Sequence, residues 1–168
     1  MIYLRDSVDS PIDQCDLIDN CPLTFLIDYD LNVPGEAQVE CVPTRVLVLT
    51  QTCDLVQGKT SAVTVAVVHE AQLIVDKGLL KPADVRGPVR AARVFGWYFL
   101  PASSDLSLNE MIVDLRQLHT VRLDLLTTLS RQGKRRARLL SPYREHLAKH
   151  FADTYSRIGL PDPYQTGP

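Results

Sequence analysis

Residues 45–69, RVLVLTQTCDLVQGKTSAVTVAVVH, contain two apolar runs separated by a polar segment. The runs Val46–Leu49 and Ala62–Val68 are rich in β-branched residues and lack the 3.6-residue spacing of a helix. The segment between them carries Gly58 and is typical of a connecting loop. Because both runs are apolar at consecutive positions, we expect an antiparallel hairpin with both faces covered, central in its sheet and closed by a long loop.

Charge is divided unevenly along the chain, although its 168 residues carry a formal net charge of only −2. Residues 1–42 contain nine acids and one base, whereas residues 43–168 contain eleven acids and seventeen bases. The apolar fraction of 45% is that of a soluble globular protein. The acidic front therefore either covers basic surface in its own fold or leaves that surface to an anionic partner.

The cysteine pattern and the absence of long apolar runs restrict the class of protein. The four cysteines form no CxxC pair, which argues against a zinc site; they are Cys15, Cys21, Cys41 and Cys53. No apolar run reaches membrane-spanning length, and the acidic start lacks the features of a signal peptide. We expect a cytoplasmic protein with reduced thiols, without membrane, metal or cofactor.

Other segments predict an α+β protein of one domain over residues 1–161, followed by a tail at 162–168. We expect a small, bent antiparallel barrel of about five to seven strands over residues 12–115. Ser141 as N-cap, Pro142 and Gly159 predict a helix over residues 142–158, packed on the barrel. The remaining predictions are strands at 1–4, 12–18, 23–27, 39–42, 94–100 and 111–115, a short helix within 70–80, and loops at 82–88 and 103–109.

The order of these signals resembles that of the MazF/PemK toxin family. Cys15-Asp16-Leu17-Ile18 stands where the family has Gly-Asp and a strand, and Thr44-Arg45 leads into Val46–Thr50 where the family has Arg-Pro and a strand. Val63–His69 corresponds to the next strand, with His69 in place of a catalytic Thr or Ser. The resemblance implies an SH3-like barrel, dimerisation, RNA as substrate and an antitoxin partner. The TQTCDL motif also resembles uncharacterised small bacterial proteins, which implies no activity.

Arg45 and His69 are the candidate catalytic residues of a metal-independent endoribonuclease. In an antiparallel hairpin, the start of the first strand lies beside the end of the second, so we expect the two residues to be neighbours. The imidazole would then move protons near neutral pH, and the guanidinium would stabilise the phosphorane. The alternative is that both side chains are solvated at strand ends.

Cys53 and Asp54 are a second, less favoured catalytic candidate in the hairpin loop. A thiolate needs a base, and the hairpin separates Cys53 from His69 by on the order of 20 Å, at about 3.3 Å per residue. The alternatives are a buried Cys53 and an Asp54 that builds the loop through an Asx-turn. Gln51, Thr52, Asp54 and Lys59 are also candidates for a polar ligand-binding loop.

The segment RQGKRRAR, residues 131–138, contains five cations and is a candidate nucleic-acid interface. With Lys59, the candidate residues are Arg131, Lys134, Arg135, Arg136 and Arg138. A solvated basic loop, or one neutralised by the acidic front, is the alternative. His146 and His150 are expected to lie on a solvated helix face rather than to hold a metal, and Trp97, Tyr98 and Phe99 to pack rather than to stack bases.

Two functions follow from these observations. The first is nucleic-acid processing of the kind the MazF/PemK resemblance implies. The second is a non-catalytic module that binds a protein or a nucleic acid through the Thr50–Ser61 loop and the Arg131–Arg138 segment.

Overall fold

The computed structural model describes residues 1–5, 8–33, 35–56 and 60–156. Within these residues the fold is α+β, as predicted: one antiparallel sheet of seven strands with helices packed against it. The strands are β1 (Tyr3–Leu4), β2 (Asp16–Tyr29), β3 (Ala37–Val48), β4 (Ala62–Glu70), β5 (Trp97–Leu100), β6 (Met111–Arg122) and β7 (Arg135–Leu139). The helices are α1 (Thr52–Val56), α2 (Ala71–Asp76), α3 (Pro82–Asp84), α4 (Leu123–Arg131) and α5 (Tyr143–Tyr155), and a π-helical turn (Val85–Val89) follows α3.

The predicted central hairpin is confirmed by the pairing of β3 with β4. Val46 pairs with Val67 and Val48 with Val65 in an antiparallel ladder. The strand order is β1-β7-β2-β3-β4-β6-β5, so the hairpin lies in the middle of the sheet. Its consecutive apolar residues serve two different cores, which is why they show no alternation with polar residues.

Each face of the hairpin is covered by a different helix. Leu47 belongs to a cluster that draws on all seven strands and on Leu147 of α5. Val46 points the other way, into a cluster that α4 closes with Leu126. A third cluster joins α2 and the π-helical turn to Trp97 of β5. The two sides are called below the Leu47 face and the Val46 face.

The sheet is barrel-like but not closed by backbone pairing. Strands β1 and β5 remain its two edges. Bending of the sheet brings these edges close enough for the Tyr3 hydroxyl to donate to the Pro101 carbonyl at 2.7 Å. Arg5 donates across the same seam to the Asp105 carbonyl at 3.3 Å. Side-chain hydrogen bonds therefore bridge the gap that a closed barrel would fill with a strand ladder.

Several element boundaries differ from the predicted ones. Asn20-Cys21-Pro22 does not end its strand, because β2 absorbs it as an irregularity: Asn20 has φ of 58° and the register with β3 shifts there. The basic segment is not a loop, since residues 135–139 form β7 between β1 and β2. Residues 82–88 were also predicted as a loop and are helical.

The C-terminal helix is confirmed over Tyr143–Tyr155. Ser141 is not its N-cap; Pro142 takes that position without a side-chain hydrogen bond. The predicted helix end at 157–158 and the predicted tail at 162–168 lie outside the described residues. Each helix in the described part of the chain is too short or too polar to span a lipid bilayer.

Gly96, just before β5, is expected to tolerate no side chain. Its φ is +83°, and an added Cβ would lie 2.8 Å from two carbons of the Arg116 side chain. We expect Gly96→Ala to lower the free energy of unfolding by about 1–2 kcal/mol through the left-handed backbone alone. Urea denaturation measures this, with Gly87→Ala as the control because Gly87 has no positive φ and nothing within 4 Å of its Cβ position. Equal stability of the two variants would contradict the prediction.

Candidate functional site

Arg45 is held by acids on the Leu47 face. Its guanidinium donates to the Asp19 carboxylate and, through Nη1, to Glu70 Oε1 at 2.8 Å. Nη1 also lies 3.3 Å from the sulfur of Met111. Burial alone would lower the pKa of Arg45, but the hydrogen bonds to Asp19 and Glu70 raise it. The positive charge of Arg45 is therefore balanced by the carboxylates of Asp19 and Glu70.

His69 does not join Arg45, because the two side chains lie on opposite faces of the sheet. Continuing the register of Val46 with Val67 places Arg45 opposite Val68, and the next residue along a strand points the other way. His69 thus projects from the Val46 face. Burial lowers its pKa, with Asp114 opposing this shift and Lys77 and Arg116 adding to it. The predicted hairpin is right, but the predicted catalytic pair is not assembled.

Two cations of the Arg131–Arg138 segment are bound to one buried carboxylate. Asp16 is fully buried and accepts Arg138 Nε on Oδ1 at 2.6 Å and Arg138 Nη2 on Oδ2 at 3.0 Å. Arg135 Nη1 reaches the same Oδ2 at 3.2 Å, and its side chain is only 2% exposed. These contacts fix β7 against β2.

A second acid of the same strand binds a third cation. Asp19 Oδ2 accepts Arg136 Nη1 at 3.1 Å while the carboxylate also accepts Arg45. Arg136 further donates to the Leu106 carbonyl at 3.0 Å. Of the two explanations of the charge asymmetry, the structure thus supports the first: the acidic front covers basic surface in its own fold.

Two of the predicted nucleic-acid contacts that the structure describes, Arg131 and Lys134, have no part in this network. Arg131 is exposed at the end of α4, and Lys134 is half-buried just before β7. Lys59 lies outside the described residues. Of the described members of the predicted interface, only Arg131 and Lys134 lie outside the carboxylate network.

Cys53 is exposed in α1, contrary to the expectation of a buried thiol. Its sulfur lies 3.6 Å from Gln51 Oε1 and 3.8 Å from Asp54 Oδ1. Both neighbours are acceptors, and no imidazole or cation among the described residues contacts the sulfur. A nucleophilic cysteine needs such a group to stabilise its thiolate. The described surroundings of Cys53 provide none.

A cleft of about 730 Å³ opens between the hairpin loop and α5. The backbone N–H of Leu49 donates to the Thr64 carbonyl at 2.9 Å, and the N–H of Thr64 donates to Thr50 Oγ1 at 2.8 Å, which fixes one wall. Of the predicted ligand-binding loop, Gln51 and Asp54 line the cleft, whereas Thr52 does not. The described residues that line it are Gln14, Leu49, Thr50, Gln51, Asp54, Thr60, Ala62, Thr64, Ala148, Phe151 and Ala152.

The aromatic strand β5 packs as predicted and also borders a second cavity. Trp97 and Tyr98 are buried, and Phe99 is half-buried. A pocket of about 280 Å³ is lined by Arg90, Tyr98, Phe99, Tyr143 and His146, with Ile2, Val89, Ala92 and Pro101. The Arg90 guanidinium lies 5.0 Å from the centre of the Phe99 ring. This arrangement is called below the aromatic pocket.

The two histidines of α5 have different surroundings. His146 is exposed and its Nδ1 lies 3.1 Å from the Tyr98 hydroxyl. His150 is buried, contrary to the prediction, with Nε2 3.1 Å from the Trp97 carbonyl and its ring stacked on Phe95. No group of three or more His, Cys, Asp or Glu side chains in the described part of the chain could hold a metal ion.

The sequence interpretation missed a second basic segment. Residues 77–93 contain five cations and one acid, Asp84. All five cations are exposed; they are Lys77, Lys81, Arg86, Arg90 and Arg93. Among the described contacts, only Arg90 approaches an acid, Glu110 at 3.7 Å. This segment is named the 77–93 surface. Counting charges along the sequence would have found it. No sequence pattern indicated that its helical structure brings Arg90 to the aromatic pocket.

Comparison with known proteins adds no family assignment. No protein-family model matches the sequence, and no curated protein matches it significantly. The resemblance to the MazF/PemK family, and the RNA substrate and antitoxin it implies, therefore stay predictions.

Proposed function

We propose that this protein binds single-stranded nucleic acid through the 77–93 surface and the aromatic pocket. The observation that carries the proposal is the position of Arg90, whose guanidinium lies over the Phe99 ring in the lining of a pocket that also contains two tyrosines and a histidine. The MazF/PemK resemblance also implies a nucleic-acid partner, but the residues proposed here to bind it are different. The proposal does not include RNA cleavage, because the candidate catalytic residues Arg45 and His69 lie on opposite faces of the sheet.

Charge supports this location over the Arg131–Arg138 segment. Exposed lysines and arginines gain affinity by neutralising phosphates and releasing counterions. Arg135, Arg136 and Arg138 already bind buried or half-buried carboxylates. Lys77, Lys81, Arg86 and Arg93 make no ion pair with the described residues, so their charges are available to a phosphate backbone.

The pocket supports recognition of a base beside that backbone. Bases stack on aromatic rings without sequence preference, and arginine adds cation–π attraction. Burial raises the pKa of Tyr98 to about 12, so its hydroxyl stays protonated and can donate. The volume of about 280 Å³ is just below the range for ligand pockets, about 300–1,000 Å³, which suits one ring rather than a large ligand.

Fluorescence anisotropy with a labelled 20-nucleotide RNA tests the proposal. Contact with three to five phosphates predicts that log affinity falls with log salt at a slope of about −2 to −3.5. An abasic strand of equal length should bind at least about fivefold more weakly, because stacking contributes about 1–3 kcal/mol per base. Affinity independent of salt would contradict the proposal, and equal affinity for the abasic strand would remove the pocket from it.

A further inference from the structure

We propose that the cleft between the hairpin loop and α5 binds an arginine or lysine side chain of a peptide partner. This site is distinct from the nucleic-acid surface, and the inference does not depend on the proposed function. It rests on the charge of the cleft, on an aromatic wall and on polar groups that the fold holds in place.

Among the described residues, Asp54 gives the cleft a negative charge. It is the only charged residue among the described side chains that line the cavity. The residue is half-buried, and the single described side-chain contact of its carboxylate is with the Cys53 sulfur at 3.8 Å. A half-buried aspartate with no cation beside it among the described residues attracts a positively charged ligand. The same charge repels phosphate, which separates this site from the 77–93 surface.

Phe151 supplies a second feature that suits a cation. It is half-buried on α5 and lines the cleft together with the small residues Ala148 and Ala152. Lysine and arginine are attracted to aromatic faces, and more strongly when they are desolvated. Phe151 is braced by an edge contact with Tyr155, with ring centres 5.3 Å apart.

The size and the polar lining of the cleft point to a peptide rather than to a small amine. Its volume of about 730 Å³ exceeds what one side chain fills. Gln14 is held by a hydrogen bond to the Leu49 carbonyl at 3.3 Å, and Thr60 by hydrogen bonds with Ala62. Fixed amides and hydroxyls of this kind can accept or donate to peptide backbone beside an anchored side chain.

Titration with two peptides tests the proposal. The probes are N-acetyl-Gly-Arg-Gly-amide and the same peptide with citrulline, which has nearly the same shape and no charge. By NMR chemical-shift titration we expect the arginine peptide to bind at least about fivefold more tightly, since one desolvated ion pair or cation–π contact is worth about 1 kcal/mol or more. Equal binding of the two peptides would overturn the proposal.

Two variants locate the binding within the cleft. Asp54→Asn should abolish the preference for arginine without changing the thermal midpoint, because Asp54 makes no ion pair in the described structure. Glu36→Gln, which removes an exposed carboxylate elsewhere, should keep the preference. Retention of the preference by Asp54→Asn would overturn the proposal. RNA affinity should be the same in all three proteins, so failure here is distinguishable from failure of the nucleic-acid surface.

Discussion

Replacing Asp16 by asparagine is expected to lower the free energy of unfolding by about 3–5 kcal/mol, the cost of breaking a buried ion pair from one side. Asp16 is fully buried and accepts hydrogen bonds from Arg135 and Arg138. The neutral amide would take the carboxylate charge of Asp16 away from the guanidinium of Arg135, whose side chain is only 2% exposed. Urea denaturation of the purified variant measures the loss.

The matched control is Asp124→Asn. Asp124 also forms a carboxylate–arginine pair, with Arg122, but both side chains are largely exposed. Exposed pairs contribute little because water and salt screen them. We expect no measurable change for this variant. A loss at Asp16 no larger than that at Asp124 would show that the buried arginines find other partners and that the acidic front does not hold β7 in place.

Replacing Arg86, Arg90 and Arg93 together by glutamine is expected to weaken binding of single-stranded RNA at least about tenfold at low salt. All three side chains are exposed. Removing three phosphate contacts should also reduce the salt slope by about 2, at about 0.7 per contact on a single strand. The measurement is the same anisotropy titration as for the wild-type protein.

This triple variant should keep the stability of the wild-type protein. Among the described contacts, Arg86 makes one long hydrogen bond to the Pro82 carbonyl, at 3.3 Å, and Arg90 makes one loose pair with Glu110 and one contact with the face of the Phe99 ring, which contribute little to stability because the three arginines are exposed. A fall in RNA affinity at an unchanged thermal midpoint therefore reports a lost contact rather than unfolding. An unchanged salt slope would contradict a role of the 77–93 surface in binding phosphate.

The fold could be predicted from local patterns where those patterns have one physical cause. The consecutive apolar residues of Val46–Leu49 and Ala62–Val68 predicted a doubly covered hairpin, and both runs do face two cores. The strand end predicted at Asn20-Cys21-Pro22 was wrong, because an irregularity in a long strand can accommodate a residue with positive φ. Pairing across the sheet overrides such local signals.

The candidate site was harder to predict because it depends on which face of the sheet each strand residue points to. It also depends on contacts between residues that are far apart in the sequence. Arg45 and His69 are close along the hairpin, but a register difference of one residue places them on opposite faces. Charge counting gave the basic segment at 131–138, yet could not show that Asp16 and Asp19, more than one hundred residues away, bind three of its arginines. Only the tertiary structure shows which of the two basic segments is bound to carboxylates of the same chain.

The most direct test compares the two basic segments in one experiment. Arg86→Gln/Arg93→Gln and Arg131→Gln/Lys134→Gln each remove two positive charges, so their effects on RNA affinity at equal salt differ only by location. We expect the first variant to bind RNA at least about fivefold more weakly than the wild-type protein, and the second to bind within about twofold of it. The reverse order would place the interface on the 131–138 segment and contradict the proposed surface.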